Sequence, residues 1–493
     1  MKFILYTLAL FLSSAAHAQI LDWAFSTGYP SSTHVAALRQ DMAGNIFLAT
    51  NHDSSGAMLS STIERRDEFQ NVMWSQTFTG LNKITDMEMN SFGHPLICGW
   101  FIGDFIFGND TLHSTPDASA FLVELDSSGH NIWTRIFNPI PGSDFKPVDM
   151  HIDNFDNIYL TATYSGLSPG FTSFHKLDMW GLPLQDEFNM SSDIRSFSHI
   201  IADDNGNVYL SGTCSNQAQF DSLTAPIGSY QNFLVMYDSQ FNAQWLITRP
   251  YITFDDNNAL SYDGLHLYWS FIEANSNADT IKLVKTDLNG QILLDKVGPL
   301  AGIFFPGITF TTDAQGNGLF VANIFSRLFL YRFDNQFNQL WNDTLYTSAS
   351  GFPIDISLAC YDSSFYISSK YYNDSLFVGP VLLLNPNAAN FGSDLFVARW
   401  INDPTLGIKR PSFTTSFSAF PNPTNGIVRL TLKKTEGLLI VRNVLGAIVQ
   451  NYSISDDREH VIDLSELNNG FYFIQFLEVD GTVLNSEKIL LIK

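Results

Sequence analysis

Asp203-Asp204-Asn205-Gly206-Asn207-Val208-Tyr209-Leu210 reads as a tight turn feeding a strand, and versions of it recur along the chain. Asp or Asn at the head of such a turn bonds the backbone two residues on, and Gly supplies a positive φ at no steric cost. The alternating apolar residues that follow form a strand. The other copies place Gly44 in DMAGNIFL, Gly93 in NSFGHPLI, Asp156 in DNFDNIYL, Gly264 in SYDGLHLY, Gly316 in DAQGNGLF and Ser363 in CYDSSFYI. With Gly206 they make seven copies, spaced 47 to 63 residues apart.

A second motif interleaves with the first: an apolar strand, an Asp, a turn, then a Trp. Asp67 pairs in this way with Trp74, Asp126 with Trp133, Asp238 with Trp245 and Asp334 with Trp341. The Asp178 and Asp287 copies keep the turn but place Gln185 and Leu294 at the Trp position. Each repeat therefore holds two hairpins and four strands. Four strands at a period near 50 residues read as a blade of a β-propeller.

The last repeat has a strand at 395–400 but no Asp-turn-Trp strand after it. The segment Ile20-Leu21-Asp22-Trp23-Ala24-Phe25 has the pattern of the missing piece. An N-terminal strand completing the last blade would remove an open sheet edge. The expected fold is thus all-β: a seven-bladed β-propeller of four-stranded blades over 19–402, closed by its N-terminal strand. An open solenoid or a pair of sandwiches is the alternative. The D-x-x-G-N-[IV]-Y and L-V-x-x-D-x-x-G-x-x-x-W spacings resemble SBBP-type β-propeller repeats of secreted bacterial proteins. Such a fold does not specify an activity.

Composition bounds the rest. The chain has 493 residues, 45% hydrophobic and 15% charged, with 42 Phe, enough for large β-rich cores. Residues 1–18 read as a secretory signal peptide: Lys2, an apolar run, and a small-residue site that predicts cleavage between Ala18 and Gln19. That run is too short to span a bilayer. The formal net charge of −23 makes nucleic acid and anionic membranes poor partners. It is compatible with divalent cations, cationic partners and neutral glycans. Cys98, Cys214 and Cys360 are an odd count without CxxC and read as unpaired thiols in strands.

The strand order puts both kinds of turn on one face of the disc. The opposite face carries long, unlike connections, where binding usually sits. Its candidate ligand residues are Trp100, Tyr251, Asp255, Asp256, Tyr371 and Tyr372. Phe105, Phe107, Phe220 and Phe377 in the same connections read as packing residues.

Residues 403–416, with Pro404, Gly407 and Pro411, form a linker. From 417 to 493 short alternating strands suggest a small Ig-like β-sandwich. Pro421-Asn422-Pro423 with Asn425-Gly426, then Asp463-Leu464-Ser465, Leu467, Gly470 and Tyr472, and finally Lys488 to Lys493, resemble the type A C-terminal sorting domain of the type IX secretion system of Bacteroidetes. The resemblance implies export through the periplasm, passage of the outer membrane by the type IX machinery, and release or fixation at the surface. Thr111, Ser222, Thr280, Thr344 and Ser375 each follow an Asp and precede Leu or Ile, resembling the Bacteroidetes O-glycosylation pattern; ordinary turn chemistry explains the same tripeptides.

HExxH, GxSxG and P-loop patterns are missing, as is a D-x-D-x-D-G calcium loop. No catalytic residue, resident cofactor or metal ligand is assigned, although the Asp255-Asp256 pair could take a divalent cation. The expectation is a monomeric, secreted or surface-displayed binding or adhesion module rather than an enzyme. A carbohydrate-active enzyme using loop carboxylates, and a structural surface-layer protein, are the alternatives.

Overall fold

In the computed structural model the chain divides into two compact units, residues 1–404 and 405–493. The structure describes residues 19–402 and 418–493, less 30–31, 42, 55–56, 109, 167–170, 186–187, 190–192, 216, 229, 252–257, 274–279, 302–306, 325–326, 347–354, 362–363, 389–391, 421–423, 432–435, 444–447, 456–458 and 478–482. The signal segment with Ala18, the 403–416 linker, Asp255, Asp256, Pro421, Asn422 and Pro423 therefore lie outside the described residues. Among the described residues the chain is all-β, with no α-helix.

The repeated turn is built by its own side chains. Asp203 Oδ1 accepts the N–H groups of Asn205 (2.9 Å) and Asn207 (3.0 Å). Its Oδ2 accepts the Asn207 amide (2.8 Å) and the Tyr209 hydroxyl (3.0 Å). One carboxylate thus explains the Asp, Asn and Tyr of the motif. Asp153 repeats the set with Asn157 and Tyr159. Asp263 keeps the tyrosine bond, to Tyr268, in a turn one residue shorter. The fourth turn residue takes a left-handed φ, +77° at Gly206. Where Phe241 and Phe337 occupy that place, at +65° and +56°, their rings are buried, and that burial offsets the backbone strain.

The strands of the larger unit fall into seven antiparallel groups of four. Ser32–Gln40, Ile46–Ser54 and Ala57–Arg66 are completed by the first half of the long strand Val72–Met89. Its second half begins the next group, with Pro95–Phe107, Ser119–Leu125 and Asn131–Phe137. The register shifts at the joint, where a Cβ on Gly80 would run into the Asp104 carbonyl. Asp144–Ile152, Ile194–Ala202, Asn258–Tyr262 and Gly307–Thr312 each start a further group. The seventh group joins Ile356–Tyr361, Ser364–Tyr371 and Asp394–Asn402 to the N-terminal strand Gln19–Ser26, which pairs with Asp394–Asn402 from Gln19↔Asn402 to Ser26↔Phe396.

The first strands of the groups touch one another in chain order, and the seventh, Ile356–Tyr361, touches the first, Ser32–Gln40. Two of the motif tryptophans, Trp74 and Trp245, tie neighbouring groups at the periphery. The Trp74 indole N–H donates to the Ser127 carbonyl (2.9 Å) and Trp245 to the Leu288 carbonyl (3.1 Å), each in the second turn of the following group. Gly129 and Gly290 sit under those indoles, where a Cβ would collide with the ring. Short hairpins extend the second, fourth and seventh groups at 110–113, 219–224 and 375–384. Phe105, Phe107 and Phe220 are buried where these hairpins meet the sheets, whereas Phe377 is 64% exposed.

The smaller unit has a three-stranded sheet of Ser418–Phe420, Ile427–Thr431 and Glu459–Asp463 and a four-stranded sheet of Ile448–Ser455, Glu436–Asn443, Gly470–Leu477 and Val483–Leu491. Val428, Leu439, Ile462, Leu464, Ile474 and Ile489 form their shared core.

Candidate functional site

The first strand of each group has one edge that its own sheet leaves unpaired, and unpaired buried backbone groups are costly. Side chains of the neighbouring first strand supply partners. Met150 N donates to Asp86 Oδ2 (3.2 Å), Ile200 N to Asp149 Oδ2 (2.7 Å), Thr312 N to Ser261 Oγ (3.0 Å) and Leu38 N to Ser357 Oγ (2.9 Å). Asp86 and Asp149 sit directly after bulges in their strands, at Ile84/Asp86 and Pro147/Asp149, where an extra residue re-aims the side chain.

These residues surround a cavity of about 550 Å³ lined by the first strands of all seven groups. Its charged or titratable lining is Arg39, Asp86, Glu88, Asp149, His151 and His199, with Tyr262 and Cys360. The Arg39 guanidinium donates to Asp86 (3.0 Å) and to Glu88 (2.7 Å). Burial pushes the Asp86 carboxyl well above the usual range; Arg39 opposes the shift, while Asp149 and Glu88 add to it. The His199 ring bonds the Asn258 carbonyl (3.2 Å) and lies 3.6 Å from Asp149. Carboxylates and a cation do meet here, as acid–base chemistry would need. Asp86 and Asp149, however, are each committed to a neighbouring backbone N–H, and Asp86 and Glu88 to Arg39.

A second cavity, of about 360 Å³, shares Ala36, Thr85 and Val148 with the first. Its lining comes from the starts of first strands, at His34, Lys83, Pro147 and Asp355, together with Asn51 and Trp100. Those strand starts lie away from the repeated turns, on the side of the long connections. His34 Nδ1 and Asp355 Oδ2 are 2.6 Å apart, and Lys370 Nζ lies 3.3 Å from the same oxygen and 3.1 Å from His34. Burial raises the Asp355 carboxyl, but the His34 bond and the Lys370 charge outweigh it and hold the group below its ordinary value.

Of the residues the sequence nominates, Trp100 lines this cavity, half-buried, with Lys146 Nζ 4.9 Å from its ring. Tyr372 is half-buried beside Lys370, at 5.8 Å. Tyr371 is not a surface residue: it is fully buried against Phe396, among Leu376 and Val378 of the 375–384 hairpin. Tyr251 ends the strand Ala243–Tyr251, opposite Tyr230. Sequence reasoning missed Lys83, His34 and Asp355. Exposed aromatics also stand in the turns, at Phe69, Phe92 and Phe155. Thr111 and Ser222 are exposed; Thr280, Thr344 and Ser375 are half-buried.

No group of three or more His, Cys, Asp or Glu is placed to hold a metal ion among the described residues. No disulfide joins the cysteines: Cys98 and Cys214 are buried and Cys360 half-buried. Burial pushes the Cys214 thiol up to about 12, so it stays protonated.

In the smaller unit the motif pieces meet at one end. Leu464 N donates to the Gly426 carbonyl (2.7 Å), Ile492 N to the Thr424 carbonyl (2.9 Å) and Lys493 N to Asn469 Oδ1 (2.9 Å). Asp463 Oδ1 caps Ser465 N (2.8 Å), and the Tyr472 hydroxyl donates to the Asn468 carbonyl (2.8 Å). Asn425 is exposed, Gly470 opens the strand Gly470–Leu477, and Lys488 pairs with Phe473.

Residues 418–491 match the family described as the secretion system C-terminal sorting domain. That tail marks the protein for export to the cell surface or the medium and implies contact with the type IX secretion machinery. No curated protein matches the chain. Among solved structures, a protein of unknown function from Dyadobacter fermentans aligns at 9% identity and a TM-score of 0.40, over 78% of this chain and 99% of its own. Kuenenia stuttgartiensis hydrazine synthase aligns at 10% identity and a TM-score of 0.33, over 65% of this chain and 97% of its own.

Proposed function

We propose that residues 19–402 form a seven-bladed β-propeller that acts, as a monomer and without a resident cofactor, as a binding or adhesion module. In this reading the signal peptide is cut after Ala18, the chain crosses the periplasm, and the Ig-like tail directs it through the outer membrane. Seven four-stranded groups whose first strands touch in cyclic order support the propeller. The single observation that favours binding over catalysis is the division of labour along the axis. The buried carboxylates Asp86 and Asp149 are engaged as seam partners, while the cavity on the long-connection side offers Trp100, Lys83 and Asp355. Largely preformed pockets with a few convergent polar groups are the usual form of a ligand site.

Glycan-array and pull-down screens with the full secreted chain test this reading. A ligand whose retention is lost in Trp100→Ala supports it. Failure to retain any ligand, together with release of new reducing ends from a polysaccharide, would overturn it. The meeting of Asp86, Glu88, Asp149 and Arg39 favours a carbohydrate-active enzyme as the second reading; there, Asp86→Asn would abolish such release. Intact-mass analysis of the native protein tests glycosylation at Thr111, Ser222, Thr280, Thr344 and Ser375, with a bare-chain mass excluding it.

A further inference from the structure

The cavity on the long-connection side has a composition that selects among ligands. Trp100 lines it with Lys146 Nζ over one face of its ring, and the other face is the π surface on which the C–H face of a pyranose would pack. Asp355 Oδ2 is taken by His34 and Lys370, while its Oδ1 carries no hydrogen bond among the described residues. A carboxylate oxygen of that kind accepts a sugar hydroxyl. Lys83 is half-buried in the lining and has no ionic partner among the described residues. Removing a cation from water without a counter-charge is costly, so a half-buried unpaired lysine at a cavity invites an anion.

The rest of the chain limits that anion. With a formal net charge of −23, the protein repels polyanions such as nucleic acids or multiply phosphorylated ligands. Lys370 is paired with Asp355 and Lys146 with Asp144, so Lys83 is left to meet one negative charge on an otherwise neutral, hydroxyl-rich molecule. The volume of about 360 Å³ lies at the lower end for small-molecule sites, with room for roughly one or two sugar rings.

We propose that this cavity binds a uronic-acid-type saccharide: Trp100 is the stacking platform, Lys83 the counter-ion of the sugar carboxylate, and Asp355 Oδ1 the acceptor for a ring hydroxyl. The assignment rests on the reading of the larger unit as a ligand-binding module. Isothermal titration of the full secreted chain with an acidic trimer that carries one galacturonic acid among galactose rings, and with the neutral galactose trimer, tests it. The acidic trimer binds at least tenfold more tightly than the neutral one. Lys83→Met removes at least tenfold of that affinity and leaves the neutral trimer unchanged; Trp100→Phe, which keeps an aromatic ring, weakens both. Acidic-trimer binding that Lys83→Met does not alter overturns the assignment. So does the lack of any binding of the acidic trimer while a different ligand binds in a Trp100-dependent way, a result that leaves the binding-module reading standing. If no ligand of any class depends on Trp100, both fall.

Discussion

At the scale of single residues, the aspartates of the repeat do two different jobs. At Asp153, Asp203 and Asp263, in first turns, the carboxylate also satisfies a tyrosine hydroxyl, as Asp203 does for Tyr209. In the second turn it is more exposed, 37% for Asp126, and serves the turn amides. Burial acts to raise the Asp126 and Asp238 carboxyls, but the hydrogen bonds of the turn together outweigh it and hold both below their ordinary value. Asp203→Ala strands two turn amides and a buried phenol, and should cost about 2–3 kcal/mol; Asp238→Ala should cost about 0.5–1 kcal/mol. Denaturant midpoints of the two variants check the contrast, and equal losses would contradict it. His175 makes a second prediction. Burial beside Phe145 holds its imidazole down to about 4, against an ordinary value near 6.5. Between those values the unfolded chain takes up a proton that the folded chain refuses. Stability therefore falls as pH drops from about 6.5 to about 4, by up to about 3 kcal/mol. His175→Gln should flatten that part of the stability–pH curve, and an unchanged slope would contradict the assignment. The turn chemistry was legible in the sequence because every partner lies within six residues.

At the scale of elements, the seams between groups carry what local pattern could not reveal. Asp86 and Asp149 both lie seven residues before their turn residues, Gly93 and Asp156, a shared offset that could have marked them. Their partners, Met150 and Ile200, belong to the next group, 64 and 51 residues away. Trp74 and Trp245 were legible as markers of a strand, but not as donors to the following group's turn. Asp149→Ala leaves the Ile200 N–H without its partner and should cost about 1–3 kcal/mol, whereas Asp149→Asn, which keeps an acceptor oxygen, should cost less. Thermal unfolding of the pair tests this, and identical losses would rule out the seam bond as the cause. The strand Gln19–Ser26 is the strongest case of sequence foresight, read from the likeness of Trp23-Ala24-Phe25 to later repeats and found paired with Asp394–Asn402. Thr27 Oγ1 and Gly28 N also fasten it to Asp394. A chain lacking residues 19–28 exposes the edge of Asp394–Asn402. It should melt at lower temperature and self-associate on size-exclusion chromatography; an unchanged monomer would contradict the closing role of the strand.

For the whole molecule, two signals of different kind had to be read separately. The tail was legible because its pieces, from Asn425-Gly426 through Asp463-Leu464 to Lys493, are distinctive as a set. The structure adds that these distant pieces join at one end of the unit. The candidate site was barely legible. His34 and Asp355 lie 321 residues apart and meet only because the seventh group packs on the first. Trp100 was named for its place in a long connection, whereas Tyr371, named on the same ground, proved to be core. The central claim is a division of labour in which residues 405–493 deliver a self-contained binding body. Fractionation of native-host cells producing the chain ended at residue 404 tests it most directly. The truncated protein should accumulate in the periplasm, folded and protease-resistant, while the full chain reaches the surface or the medium. Delivery of the truncated chain to the surface at the level of the full one would contradict the account.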